Sequence, residues 1–229
     1  MKETTAQHPL TALFDLDGTL LDTLDDLTDA VNFALGKAGL APRTRDEVCS
    51  FVGNGIGNLL RRAANDPPPD TEKVIGDAFY PYYSAHAQDK TRPYPGVVEC
   101  LAALRREGIP TAIISNKSDD VVRVLCERFF PGLYDVCRGE LPGVPRKPAP
   151  DIVFSVLKEL GASAADAVLI GDSDVDIKTA QNAKIPCASV TWGFRSPDFL
   201  VFSGAQTLIT SPSELATFLI TLQHIGANS

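Results

Sequence analysis

Apolar positions along the chain follow two rhythms. Leu10, Leu13, Phe14 and Leu16 form a compact apolar run ended by Asp17-Gly18, which predicts a short buried strand over residues 10–16 closed by a turn. The period then lengthens. Leu24, Leu27, Val31, Ala34, Leu35 and Ala38 recur three and four apart, predicting a helix with a capping-box-like start at Thr23 and Asp26 and a stop at Gly39. A glycine-rich stretch over residues 52–57 leads into a second helical pattern carried by Leu59, Leu60 and Ala63. Asp66-Pro67-Pro68-Pro69-Asp70 is a loop, and a further helix is expected over residues 71–83, its end blurred by Pro81. No strand pattern occurs between residues 22 and 91.

At Arg92-Pro93-Tyr94-Pro95-Gly96 the pattern changes. Helices are predicted over residues 97–107, 119–129, 151–160, 174–183 and 213–222, the last of them capped. Strands are predicted over 111–115, 134–137, 167–170 and 187–191. Strands and helices that alternate in this way imply a parallel sheet wound on both faces. The predicted fold is α/β: a doubly wound, mainly parallel, Rossmann-like core of residues 1–21 and 92–229, interrupted by an all-helical cap of residues 22–91.

Composition narrows the function. Among 229 residues, 44% are hydrophobic and 22% charged, which suits a folded protein with a sizeable core. A formal net charge of -8 argues against a general nucleic-acid binder, yet leaves room for one phosphorylated ligand held by local cations. The five cysteines are scattered and never spaced as CxxC, which disfavours a disulfide framework and a zinc site. Residues 1–9 lack the apolar segment of a secretory signal, and no apolar run is long enough to span a bilayer. A cytoplasmic enzyme without a membrane partner is expected; protein partners are not legible.

The chemistry-bearing residues fall where such a sheet binds ligands, beyond the carboxyl ends of its strands. Asp15-Leu16-Asp17-Gly18-Thr19 ends the first strand, Ser115-Asn116 ends the strand over 111–115, and Gly171-Asp172-Ser173-Asp174-Val175-Asp176 follows the strand over 167–170. Lys147 stands in the stiff loop Arg146-Lys147-Pro148-Ala149-Pro150. Carboxylates crowded at one sheet edge repel each other, and a hard divalent cation with oxygen ligands relieves that repulsion. Taken singly, Asp17-Gly18 reads as a turn, Lys147 as a surface lysine, Ser115 as a strand end and Asp172 to Asp176 as an acidic first turn. Their joint placement along the fold points instead to phosphoryl transfer.

These motifs resemble those of the haloacid dehalogenase superfamily, in its phosphoglycolate-phosphatase-like branch. Asp15-Leu16-Asp17-Gly18-Thr19-Leu20 is similar to the first motif, Ser115-Asn116-Lys117 to the second, Lys147-Pro148 to the third, and Gly171-Asp172-Ser173 to Asp176 to the fourth. The resemblance implies a Mg²⁺-dependent phosphatase acting on a small phosphorylated substrate through an aspartyl-phosphate intermediate. Asp15 is then the nucleophile and Asp17 the acid and base. Asp15, the Asp17 carbonyl and Asp172 hold Mg²⁺, while Asp176 orients Lys147 or a water on the metal. Ser115, Asn116 and Thr19 hold phosphoryl oxygens, and Lys147 balances charge. The insertion resembles a mobile cap, with Gly53, Asn54, Gly55 and Arg62 matching the segment presented to a substrate's distal end. The glycine spacing at 53, 55 and 57 does not fit a dinucleotide fingerprint.

Phosphoglycolate is the substrate that the cap segment implies, with pyrophosphatase and nucleotidase activities open on the same fold. A phosphosugar mutase is disfavoured, since Gly171-Asp172 and Gly18-Thr19 stand where mutases of that branch carry Glu-Asp and a valine. A receiver-type signalling domain lacks both the insertion and the first motif.

Overall fold

The structure, a computed structural model, describes residues 9–53 and 55–226. Its centre is a six-stranded sheet. The strands are β1 (Thr11–Phe14), β4 (Thr111–Ser118), β5 (Val136–Glu140), β6 (Ala167–Gly171), β7 (Cys187–Val190) and β8 (Thr207–Ile209), in the order β5-β4-β1-β6-β7-β8 with every pairing parallel. β1 is wholly buried, which its apolar sequence requires of a strand covered on both faces. Its side chains alternate. Ala12 and Phe14 join the apolar cluster on one face, and Leu13 joins the other.

The first face is covered by α5 (Val97–Arg106), α6 (Asp119–Phe129) and α10 (Pro212–Gly226), and the second by α7 (Asp151–Leu160) and α8 (Asp174–Ala183). From β1 the chain builds outward through β4 and β5, then returns to the other side of β1 at β6. The direction of winding therefore reverses at β1, and the crevice beyond its carboxyl end is where such sheets bind ligands.

The chain leaves the sheet through β2 (Leu21–Asp22) and re-enters through β3 (Arg92–Pro93), two short strands paired antiparallel. Between them lie α1 (Leu24–Lys37), α2 (Arg45–Phe51), α3 (Ile56–Ala63) and α4 (Pro69–His86). α1 packs along α4, and α4 runs through Pro81 to His86, beyond the expected end at 83. A proline inside a helix costs about 3 kcal/mol. Burial of Ile75, Phe79 and Tyr83 on the same helix, at roughly 1.5–3 kcal/mol each, outweighs it.

The expected capping box at Thr23 does not form. Thr23 Oγ1 donates to Asp17 Oδ1 at 2.6 Å, and Asp26 accepts from the backbone N–H groups of Lys90 (2.9 Å) and Thr91 (2.8 Å). Asp22 Oδ1 accepts from Leu24 N instead, at 3.2 Å. Thr23 thus ties the insertion to the sheet, and Asp26 ties α1 to the end of the insertion, so neither caps the helix. α2 was not expected, yet Thr44 and Glu47 make a full capping box at its start. α9 (Pro197–Phe202) and the edge strand β8 also lie outside the expected elements. Among the described residues, no helix is long and apolar enough to cross a membrane.

Candidate active site

After β1 the backbone doubles back, with Leu20 N and Leu21 N both donating to Leu16 O at 3.0 Å and Gly18 N donating to Leu21 O at 2.8 Å. Gly18 has φ +86°, and a side chain there would drive into the Asp172 carboxylate. Asp17-Gly18 is accordingly a tight return that sends Asp15 and Asp17, two residues apart, to the same cavity. A Cβ on Gly193 would collide with the Gly18 carbonyl and Asp172, so a second glycine lets the loop after β7 close against the first.

Lys147 is 3% exposed and binds three acceptors: Asp15 Oδ1 at 2.6 Å, Asp176 Oδ1 at 2.8 Å and Ile114 O at 3.2 Å. Burial works against its charge, but Asp15 and Asp176 outweigh burial and raise its pKa above the ordinary lysine value. Asp176 also accepts from Ser173 Oγ (2.6 Å) and Ser173 N (3.2 Å), so its carboxylate is held by the start of its own helix as well as by Lys147. Asp172 is different. It accepts from Phe194 N at 2.6 Å and Thr19 Oγ1 at 3.5 Å, both neutral donors.

Carboxylate oxygens of Asp15, Asp172 and Asp176 lie within 4.8 Å of one another. Burial first, and then Asp176, push the Asp172 carboxyl up to about 7. Burial raises Asp15 well above the usual carboxylate range against the pull of Lys147. An all-oxygen donor set with surplus negative charge fits a hard divalent cation.

Asp17 is held by three donors: Thr23 Oγ1 at 2.6 Å, Lys117 Nζ at 2.8 Å and Ser115 Oγ at 3.4 Å. Lys117 was not among the expected site residues. It is 4% exposed, and its Nζ also donates a short hydrogen bond to the hydroxyl of Tyr83 on α4. Burial lowers the Lys117 pKa, but Asp17 and Tyr83 more than offset this. Its signal was its place directly after Ser115-Asn116 at a strand end. Tyr83 lay in a helical pattern and carried no signal.

The cavity enclosed by these groups has a volume of about 60 Å³. The insertion contributes Leu27, Val52, Gly53, Gly55, Ile56 and Leu59 to its wall. The expected residues Asp15, Asp17, Ser115, Lys147 and Asp172 all reach it from the sheet. Asn116 lines it too, but spends its amide N–H groups on Lys147 O (2.8 Å) and Gly53 O (3.2 Å), joining the sheet to the insertion.

Two expected residues lie outside this wall. Thr19 is fully buried outside the cavity wall, with its hydroxyl turned to Asp172. Arg62 is exposed in the last turn of α3 and does not line the cavity, although Ile56 and Leu59 of the same helix do. Asn54 lies outside the described residues. The arginine that does line the cavity is Arg195, from the loop after β7.

Residues 12–190 match the family described as haloacid dehalogenase-like hydrolase. The chain belongs to that family. A phosphoglycolate phosphatase of Agrobacterium fabrum is 34% identical over 193 residues, covering 80% of this chain and 81% of its own. A crystal structure of a proposed phosphoglycolate phosphatase from Lactobacillus delbrueckii subsp. bulgaricus superposes with a TM-score of 0.86 at 35% identity, covering 91% of this chain and 97% of its own. CbbY from Rhodobacter sphaeroides, solved in complex with phosphate, superposes with a TM-score of 0.75 at 27% identity, covering 91% and 96%. This haloacid dehalogenase-like chain is a phosphoric monoester hydrolase of the phosphoglycolate-phosphatase-like kind.

Proposed function

We propose that the enzyme hydrolyses phosphoglycolate, or a similarly compact phosphate ester, through a phosphorylated Asp15. The observation that carries this reading is the buried Asp15–Lys147–Asp176 cluster opening, with Asp17, onto one cavity of about 60 Å³. At roughly 10–15 Å³ per water, that space holds a few waters and suits a small ester better than a nucleotide.

In the first step an Asp15 carboxylate oxygen attacks phosphorus, the P–O bond to the leaving group breaks, and Asp17 passes a proton to the departing oxygen. In the second step Asp17 takes a proton from water, whose oxygen attacks phosphorus. The Asp15–phosphorus linkage then breaks to release inorganic phosphate and the free carboxylate. Lys147 holds Asp15 in place and offsets phosphoryl charge, and the Ser115 hydroxyl, which lines the same cavity and reaches Asp17 Oδ2 at 3.4 Å, would donate to a phosphoryl oxygen. Mg²⁺ held by Asp15, Asp172 and the Asp17 carbonyl would supply further positive charge against the phosphoryl oxygens. Residues 22–91 serve as a cap that excludes water, a reading supported by the six residues they give to the cavity wall.

The test is a screen of phosphorylated metabolites with purified protein and Mg²⁺, ranked by kcat/KM. Phosphoglycolate is expected near the top and nucleotides near the bottom, with EDTA abolishing turnover. Top ranking of a nucleotide or a pyrophosphate would overturn the substrate assignment, and full activity after chelation would overturn the metal assignment.

A further inference from the structure

Arg195 belongs to the sheet side of the molecule yet grips the insertion. Its guanidinium donates through Nη1 to Cys49 O at 2.9 Å and through Nη2 to Val52 O at 2.6 Å. Those carbonyls lie at the carboxyl end of α2, where a helix leaves acceptors unfilled and carries partial negative charge. Behind it, the Phe199 ring centroid lies 5.9 Å away.

The cations that line the cavity are not equivalent. Lys147 is matched by Asp15 and Asp176, and Lys117 by Asp17. Among the described residues, no carboxylate lies within salt-bridge distance of Arg195, whose hydrogen-bond partners are neutral carbonyls. Those two bonds use two of the five N–H donors of a guanidinium. Gly53 adjoins it without crowding it: a Cβ there would stand in van der Waals contact with Nη2, at 3.7 Å. The nearby wall is apolar, built by Val52, Ile56, Leu59, Val175 and Phe194. A sugar's hydroxyls would find few partners on such a surface, whereas one carboxylate would meet a guanidinium that makes no direct ion pair and whose charge is felt only at longer range by Asp172.

We propose that Arg195 is a substrate-binding residue that reads the carboxylate of the phosphate ester. With the same guanidinium it ties the insertion to the sheet. This rests on the reading above that the substrate is a small carboxylated phosphate ester. Binding and closure are thereby coupled, because the group that meets the carboxylate is the group that docks on α2.

The experiment compares kcat/KM for phosphoglycolate and 2-hydroxyethyl phosphate, which carries a hydroxymethyl group in place of the carboxylate. The parent enzyme, Arg195→Lys and Arg195→Ala are measured. The parent should prefer phosphoglycolate. Arg195→Ala should lose about 10²-fold on it, mostly in KM, and less than about tenfold on the hydroxyl analogue. Arg195→Lys should fall between, and methylguanidinium added to Arg195→Ala should restore part of the preference. Activity on the hydroxyl analogue shows that each variant is folded. A parent preference that survives Arg195→Ala unchanged would overturn the role of Arg195 alone. A parent with no preference would overturn the carboxylated-substrate reading and this proposal with it.

Discussion

The two walls of the cavity are built on different principles. On the sheet side, charge meets charge: Lys147 is clamped between Asp15 and Asp176, and Lys117 is paired with Asp17, all on strand ends, the loops that follow them or, for Asp176, the first turn of α8. On the insertion side the wall is apolar side chains and backbone, and its polar links to the sheet are made by single donors. Arg195 reaches Cys49 and Val52, Asn116 reaches Gly53, and Lys117 reaches Tyr83. The difference teaches where rigidity and choice reside. Parallel strands hold the reacting groups in one arrangement, whereas the insertion's wall meets them through apolar contact and a few hydrogen bonds, and under the proposed cap function it would part to admit a ligand and close again.

The harshest way to break this comparison is to remove the nucleophile. Asp15→Asn should cut phosphatase turnover by on the order of 10³-fold or more while leaving the melting temperature unchanged or raised, since a buried carboxylate is neutralised at constant volume. Near-normal turnover would show that the sheet-side cluster is not the reacting centre.

A second probe acts on charge alone. The folded chain holds a proton on Asp172 up to about 7, against the ordinary 3.8, through burial first and Asp176 next. Between those values the folded state binds more protons than the unfolded, so the metal-free protein should lose stability as pH rises through that window. Melting temperatures in EDTA should therefore fall from pH 5.5 to pH 8, and saturating Mg²⁺ should remove most of that fall. Equal pH slopes with and without Mg²⁺ would place the cation elsewhere.

Smaller effects sharpen the contrast on the insertion side. Tyr83→Phe removes one partner of a buried ammonium, a cost of about 1–3 kcal/mol, and should slow turnover several-fold more than it weakens binding, because Lys117 then positions Asp17 less firmly. Arg62→Ala should change kcat/KM by less than about twofold for any substrate, since the side chain is exposed and away from the cavity. A large, carboxylate-specific loss at Arg62 with none at Arg195 would reverse the assignment of the two arginines.

Much of this was legible from the chain alone. Strand and helix alternation after residue 92 located most sheet strands and their helices, with α6, α7 and α8 at the expected bounds. Periodicity works there because each element buries one face against the next. It failed for α9, β8 and α2, which are short, and at Pro81, where packing overrode a local breaker. Asp15, Asp17, Ser115, Lys147 and Asp172 were legible as a group because the carboxyl ends of parallel strands and the loops that follow them lie along one edge of the sheet, and they line one cavity there.

What only the tertiary structure decided is which side chains bridge the two walls. Thr23 and Asp26 carry a helix-start pattern, yet their oxygens go to Asp17 and to the backbone of residues 90–91. Arg195 lies 146 residues from Cys49, and Tyr83, which carried no signal in its helical pattern, meets Lys117 through its hydroxyl. Local patterns report what a residue does within its own turn or strand. Contacts between a loop and an inserted helix depend on how far each reaches in space, and no period along the chain encodes that distance.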